Sequence, residues 1–144
     1  MESLHERLIV HRDIKIENVL MSDFSHNSTL RIADLGSAIK LSRPECTTNL
    51  RIGTPGYMAP EVIRGDHYSF PCDIWSIGCL LHVLLCAKPP FWHVDRAERD
   101  RRVFKEELDL NSNQYTARLS PECKDLLHLL LNKDPVKRPP INVL

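Results

Sequence analysis

The sequence carries no net charge, with 19 Lys and Arg set against 19 Asp and Glu over 144 residues and a pI near 7.0. That balance excludes a polyelectrolyte and offers no broad basic face, so neither nucleic acid nor an anionic membrane is expected as the main partner. A long apolar run is also missing. The longest, Ile77 to Ala87, is broken by His82 and falls short of the roughly 18 residues that span a bilayer. Glu2, Glu6 and Arg7 stand where a secretory signal would need an apolar centre. The five cysteines are odd in number and lack framework spacing, which argues against disulfides and for a reducing, intracellular setting, the cytoplasm. No repeat and no Gly/Ser linker divides the chain. What is present suffices for a globular domain: 42% apolar and 26% charged residues can bury a core and remain soluble.

The first third reads as short elements joined by loops. Val19 and Leu20, then Leu30 and Ile32, suggest two short strands joined by a long hairpin loop with an exposed tip at Ser25 to Ser28. From Asp34 to Glu61 no helical or strand period is sustained, and Pro44, Gly53, Pro55 and Gly56 indicate a long irregular segment. Compact domains rarely keep such a loop without a use. The second half is helical. Pro71 suits a first helical turn, Asp73 complements its dipole, and Ile74 to Ala87 is apolar nearly all round, which predicts a helix in the middle of the core. Asp95 to Leu108 reads as a charged surface helix resting on Val103, Phe104 and Leu108, with Arg96, Arg99, Arg101 and Arg102 as a solvated face. Ser120 caps another helix, whose Cys123, Leu126, Leu127, Leu130 and Leu131 recur at helical spacing and predict core. Pro139 to Leu144 opens a further helix.

Chemistry concentrates in His11, Arg12, Asp13, Ile14, Lys15, Ile16, Glu17, Asn18, where a carboxylate, an ammonium and an amide converge only if the backbone is looped. This segment resembles the catalytic loop of protein kinases, with Lys two residues and Asn five residues after the Asp. Asp34, Leu35, Gly36 resembles the family's metal-binding triplet, with Leu for the usual Phe, and Gly53 to Glu61 resembles the end of the activation segment. Asp73, Trp75, Ser76, Gly78 and Arg138 follow in the family's order. The resemblance covers the whole chain and implies a mainly α fold with short β-hairpins, the kinase C-lobe. Residues 1–144 are then a partial kinase domain.

The resemblance implies ATP and Mg²⁺ as cofactors and the Ser/Thr side chains of proteins as substrates. Asp13 would orient the attacking hydroxyl, with Lys15 near the transferred phosphate and Thr54 bonding both. Asn18 and Asp34 would supply oxygens to Mg²⁺, a hard ion that prefers them, and Leu20 and Ala33 would floor the adenine pocket. Lys at the second position after the Asp is the form of Ser/Thr rather than tyrosine kinases. His11, Glu61, Asp73 and Arg138 would be structural, the first in the loop, Glu61 and Arg138 as a buried ion pair, and Asp73 as the holder of the loop backbone. Arg12 would bind a phosphorylated activation-segment residue, with Thr47 and Thr48 as candidates, although they stand six or seven residues before Thr54 rather than the usual four. The run Asp73 to Trp92 most resembles the calcium/calmodulin-dependent kinase group, and Glu17 leans the substrate toward basic sequences. Calmodulin dependence does not follow, since no regulatory helix lies within the chain.

The chain contains no Gly-rich loop, no β3 lysine and no partnering helix glutamate, so the N-lobe is expected to be absent. Two readings result: a kinase C-lobe complete only with an N-lobe, or a kinase-like binding module without catalysis. Cys72, Cys79, His82 and Cys86 share one helix in apolar surroundings, which predicts core rather than a zinc site.

Overall fold

The structure, a computed structural model, describes residues 1–25, 27–111 and 114–144; His26, at the hairpin tip, lies outside them. The chain opens with a short helix, α1 (Glu2–His5), and then β1 (Ile9–Val10). A loop leads through a 3-10 turn at Ile16–Asn18 into β2 (Val19–Met21), which pairs antiparallel with β3 (Leu30–Ile32) in the register Val19 with Ile32. The hairpin pairs as the sequence predicts; at its tip Ser25 and Asn27 are exposed, whereas Ser28 is half-buried.

The segment after Asp34 is more ordered than its composition suggests. A 3-10 turn at Leu35–Ser37 precedes β4 (Ile39–Lys40), which pairs antiparallel with β1. Thr48 then bridges Tyr68. These pairings of two residues and of one are too short to show a period, and their partners are remote in sequence, so they leave no local signal. Helix α2 (Pro60–Arg64) follows, with Pro60 in its first turn and Gly65 closing it at φ 77°, a conformation glycine adopts without strain.

Helix α3 (Pro71–Cys86) is the scaffold of the fold. Trp75 is fully buried and stacks on Phe91 with ring centroids 5.8 Å apart, while Cys72, Cys79, His82 and Cys86 are all buried, as expected. All five cysteines are free thiols. The helix is not surrounded, however. Leu84 is 64% exposed, and Ile77, Leu80, Leu81 and Leu84 line an apolar groove of about 260 Å³ with Leu126, Leu130 and Leu144. Helix α3 therefore borders the core along this face.

Helix α4 (Arg96–Lys105) is capped by Asp95, whose carboxylate accepts from the Glu98 amide at 2.8 Å. Its Arg99 departs from the expected solvated face. It is buried, donates to the His93 carbonyl at 3.0 Å and lies 5.2 Å from the Trp92 ring, because its stem folds back over the segment before the helix. After α5 (Gln114–Ala117), α6 (Pro121–Leu130) starts at Ser120, which accepts from the Cys123 amide at 3.3 Å. Leu127, Leu130 and Leu131 are buried, whereas Leu129 is half exposed because it falls on the outer side of the helix. Helices α3 and α6 approach closely at Gly78, where an added Cβ would stand 2.9 Å from Leu130 Cβ and Leu131 Cγ. The chain ends in 3-10 turns at Pro135–Lys137 and Ile141–Val143. Among the described residues, no helix is long and apolar enough to cross a membrane.

Candidate active site

The loop between β1 and β2 is held from below and from both sides. Asp73, with no exposed surface, accepts from the His11 amide through Oδ2 and from the Arg12 amide through Oδ1, both at 2.8 Å. His11 is equally buried. Its Nδ1 accepts from the Asp13 amide at 3.3 Å and its Nε2 donates to the Ala33 carbonyl at 3.2 Å, tying the loop to the strand end before Asp34. A single neutral imidazole satisfies both bonds when the proton is on Nε2. Arg12 is thereby held at φ 68°, a conformation rarely adopted by residues with a Cβ and maintained only when the surroundings over-determine it. Asp73 and His11 thus bond the loop on two sides.

Three side chains close a triangle above this frame. Lys15 Nζ lies 2.9 Å from Asp13 Oδ2 and donates to Thr54 Oγ1 at 2.8 Å, and the Thr54 hydroxyl donates to Asp13 Oδ1 at 2.6 Å. Gly53 makes this possible. Its φ is 129°, and a Cβ there would stand 2.7 Å from the Arg12 carbonyl, so only glycine lets the 53–54 backbone approach the loop this closely. Burial pushes the Asp13 carboxyl up, but the hydrogen bonds from Thr54 and Lys15 and the lysine charge outweigh it and hold the group below the ordinary carboxylate value. Lys15 is raised by its bond to Asp13, against a smaller opposing effect of burial.

Asn18 is buried, and its Nδ2 donates to the Asp13 carbonyl at 2.8 Å, which leaves the amide oxygen as the atom a cation would take. The Asn18 carbonyl accepts from the Ala33 amide at 2.8 Å, so Asp34 follows directly beside Asn18. Asp34 is exposed, has φ 63° and accepts from the Gly36 amide at 3.0 Å. Among the described residues, no three His, Cys, Asp or Glu gather as a metal cage. One amide and one carboxylate oxygen match the few protein ligands Mg²⁺ takes when phosphate and water complete its shell. Leu20 is 54% exposed on β2, and Ala33, half buried, lies just past β3.

The remaining expected residues fall further out. Glu61 and Arg138 are both buried and form a two-pronged pair, Nη1 to Oε1 at 2.6 Å and Nη2 to Oε2 at 2.8 Å. Arg138 also donates to the Pro71 and Asn132 carbonyls, fastening α2, α3 and the last turns together. Arg12 Nε donates to the Ser37 carbonyl at 2.6 Å, while its Nη1 is buried with no hydrogen-bond partner among the described residues. Thr47 is exposed, its hydroxyl 3.1 Å from His67 Nδ1. Thr48 does not suit modification in this conformation. It is buried, and its backbone pairs with Tyr68 in both directions.

Sequence reasoning missed two contributors. His5 reaches Asp73 Oδ2 at 2.9 Å, and Tyr68 donates its hydroxyl to the Leu50 carbonyl at 2.6 Å, anchoring the segment before Gly53. Each contact spans a sequence separation that no local pattern encodes. A pocket of about 490 Å³ lies away from the triangle, between α1, the start of α3 and the turn at Pro135–Lys137. The three residues of the triangle are half-buried.

Comparison with known proteins identifies the family. The family described as protein kinase domain matches residues 1–144. The chain is 39% identical to G protein-coupled receptor kinase 4 of Mus musculus over 142 residues, which is 96% of this chain and 23% of that protein. It is 37% identical to the delta subunit of calcium/calmodulin-dependent protein kinase type II of Oryctolagus cuniculus over 134 residues, 93% of this chain and 25% of that protein. The chain thus spans about a quarter of the length of these relatives. With the family matched from the first residue to the last and the fold of a kinase C-lobe, the chain belongs to the protein kinase family.

Proposed function

We propose that the chain is the C-lobe of a Ser/Thr protein kinase, carrying the substrate half of a site that transfers the γ-phosphate of ATP to Ser and Thr of proteins. The observation that supports this best is the closed triangle of Asp13, Lys15 and Thr54. Asp13 accepts and orients the incoming hydroxyl, and its lowered carboxyl value keeps it an acceptor at neutral pH. Lys15 places a positive charge beside the same carboxylate, where a phosphoryl oxygen would gain it. Thr54 locks both side chains, so positioning is done before substrate arrives. Asn18 and Asp34 would hold Mg²⁺, which when bound offsets the charge of the phosphate oxygens. Leu20 and Ala33 receive the adenine ring, and exposed Glu17 suits a basic residue of the substrate.

Phosphoryl transfer also needs the phosphate clamp of an N-lobe. The test therefore joins residues 1–144 to the N-lobe of a calcium/calmodulin-dependent relative and follows label from ATP into matched serine and tyrosine peptides with basic flanks. Labelling of the serine peptide alone, abolished by chelating Mg²⁺, is the expected result. A folded two-lobed protein that labels neither peptide contradicts catalysis and leaves the binding-module reading, and labelling of the tyrosine peptide contradicts the substrate class.

A further inference from the structure

The pocket of about 490 Å³ between α1, the start of α3 and the turn at Pro135–Lys137 contains none of the residues of the triangle. Its lining is mainly apolar. Ile74 is buried and forms the floor, Phe70 and Ile141 are half-buried, and Val136, 88% exposed, stands at the rim. Four prolines complete the lining, and their fixed φ makes the walls stiff, so the recess is formed before anything enters it.

The charges around this recess have one sign. Arg138 lines it, but its five N–H groups go to both Glu61 carboxylate oxygens and to the Pro71, Asn132 and Lys133 carbonyls, which leaves no donor for a ligand. His5 turns its Nε2 to Asp73 at 2.9 Å. Arg7 and Lys137 adjoin lining residues in sequence and do not themselves line the pocket. Glu2 and Glu6 remain, four residues apart across α1 and both exposed. Neither has an ion-pair partner among the described residues.

We propose that this pocket is a docking site for a protein partner, and that it takes a peptide segment in which large apolar side chains stand next to Lys or Arg. The apolar side chains enter over Ile74 and displace water from Phe70 and Ile141, and the basic neighbours reach Glu2 and Glu6 at the rim. Apolar burial supplies the larger part of the binding, and the two carboxylates select the sign of the partner. Two separated anions suit a segment that brings two cations at once. Docking here uses no group of the phosphoryl-transfer site, so it stands or falls apart from the kinase reading.

The probe is the hexapeptide acetyl-Gly-Arg-Leu-Phe-Arg-Gly-amide, which has no hydroxyl to be phosphorylated. Titrated into the 144-residue chain without ATP and followed by amide and methyl chemical shifts, it is expected to shift Phe70, Ile74, Val136 and Ile141. The double variant Glu2→Gln, Glu6→Gln is expected to bind it about 3- to 30-fold more weakly, as the loss of two exposed ion pairs implies. Val136→Arg, which sets a cation at the rim, is expected to weaken binding as well. Ala in place of the peptide's Leu and Phe is expected to weaken it by more than about 10-fold. All three substituted positions are exposed, and unchanged amide shifts in α6 of the free variants check that the fold is kept. Absence of shifts at Phe70, Ile74 and Ile141 at about millimolar peptide overturns the proposal. So does a peptide with Gln for both Arg that binds as tightly, a double variant that binds like wild type, or shifts confined to the face of Asp13 and Glu17. Because transfer is not measured, none of these outcomes bears on catalysis, which the Asp13→Asn variant of the two-lobed protein tests separately.

Discussion

Asp13 is depressed by two specific neighbours, and each can be removed singly. Lys15→Met takes away a hydrogen bond and a charge, and Thr54→Val takes away a hydroxyl donor. Either change is expected to raise the Asp13 carboxyl toward its ordinary value, so the acid limb of the kcat/KM profile in the two-lobed protein moves to higher pH. An acid limb that stays in place would mean that neither partner sets this carboxyl. The same depression bears on folding: Asp13 adds stability above the ordinary carboxylate value, and that increment is lost as pH falls through its lower folded value. Most of these residues could be named from the sequence, because their chemistry demands fixed spacings within one short loop. His5 could not. Its partner lies 68 residues away, and a lone histidine after Leu4 has nothing to mark it.

Among the elements, the turn that follows α6 meets α4 through Lys133. Its amine sits 3.9 Å from the centre of the Phe91 ring and donates to the Arg102 and Val103 carbonyls, closing the end of α4. Burial there pushes the amine down to about 8. A cation whose folded value lies below its unfolded one is a cost fully present below the folded value and relieved as pH rises toward the unfolded value near 10.5. Wild type is therefore expected to gain about 1 to 2 kcal/mol relative to Lys133→Met between pH 7 and 10, allowing for solvent screening of this half-exposed group. Denaturant melts of the pair check this, and taking their difference cancels the opposing loss from the buried thiols of Cys72 and Cys79, which are held neutral well above their ordinary value. A gap independent of pH would contradict it. Gly78→Ala tests the α3 and α6 contact; a methyl 2.9 Å from Leu130 and Leu131 is expected to cost about 1 to 3 kcal/mol in the same melts. The helices were legible from caps and periodicity, as at Ser120 and Pro71. Pairing of β1 with β4 was not, since two residues of strand carry no pattern, and Arg99 was misread because charge alone does not tell which way a long stem folds.

At the scale of the whole molecule, the Glu61 and Arg138 pair joins α2 to the last turns of the chain. Arg138→Met strands a buried carboxylate and is expected to destabilise by about 3 to 5 kcal/mol, with the double variant Glu61→Met, Arg138→Met recovering part of the loss. A double variant no more stable than the single one would show that the pair's worth lies elsewhere, in the bonds of Arg138 to the Pro71 and Asn132 carbonyls. This frame, with the loop fastened at Asp73 and α2 fastened at Arg138, brings Asp13 and Thr54 together across 41 residues of chain. The most direct test of that arrangement as a phosphoryl-transfer site is the single-turnover rate of serine-peptide phosphorylation by the two-lobed protein, measured for wild type and Asp13→Asn at saturating Mg²⁺ and ATP. A rate about 100- to 10,000-fold slower in Asp13→Asn, with ATP affinity unchanged, is the expected result. Equal rates in the two proteins would contradict the assignment of Asp13 and the site built around it.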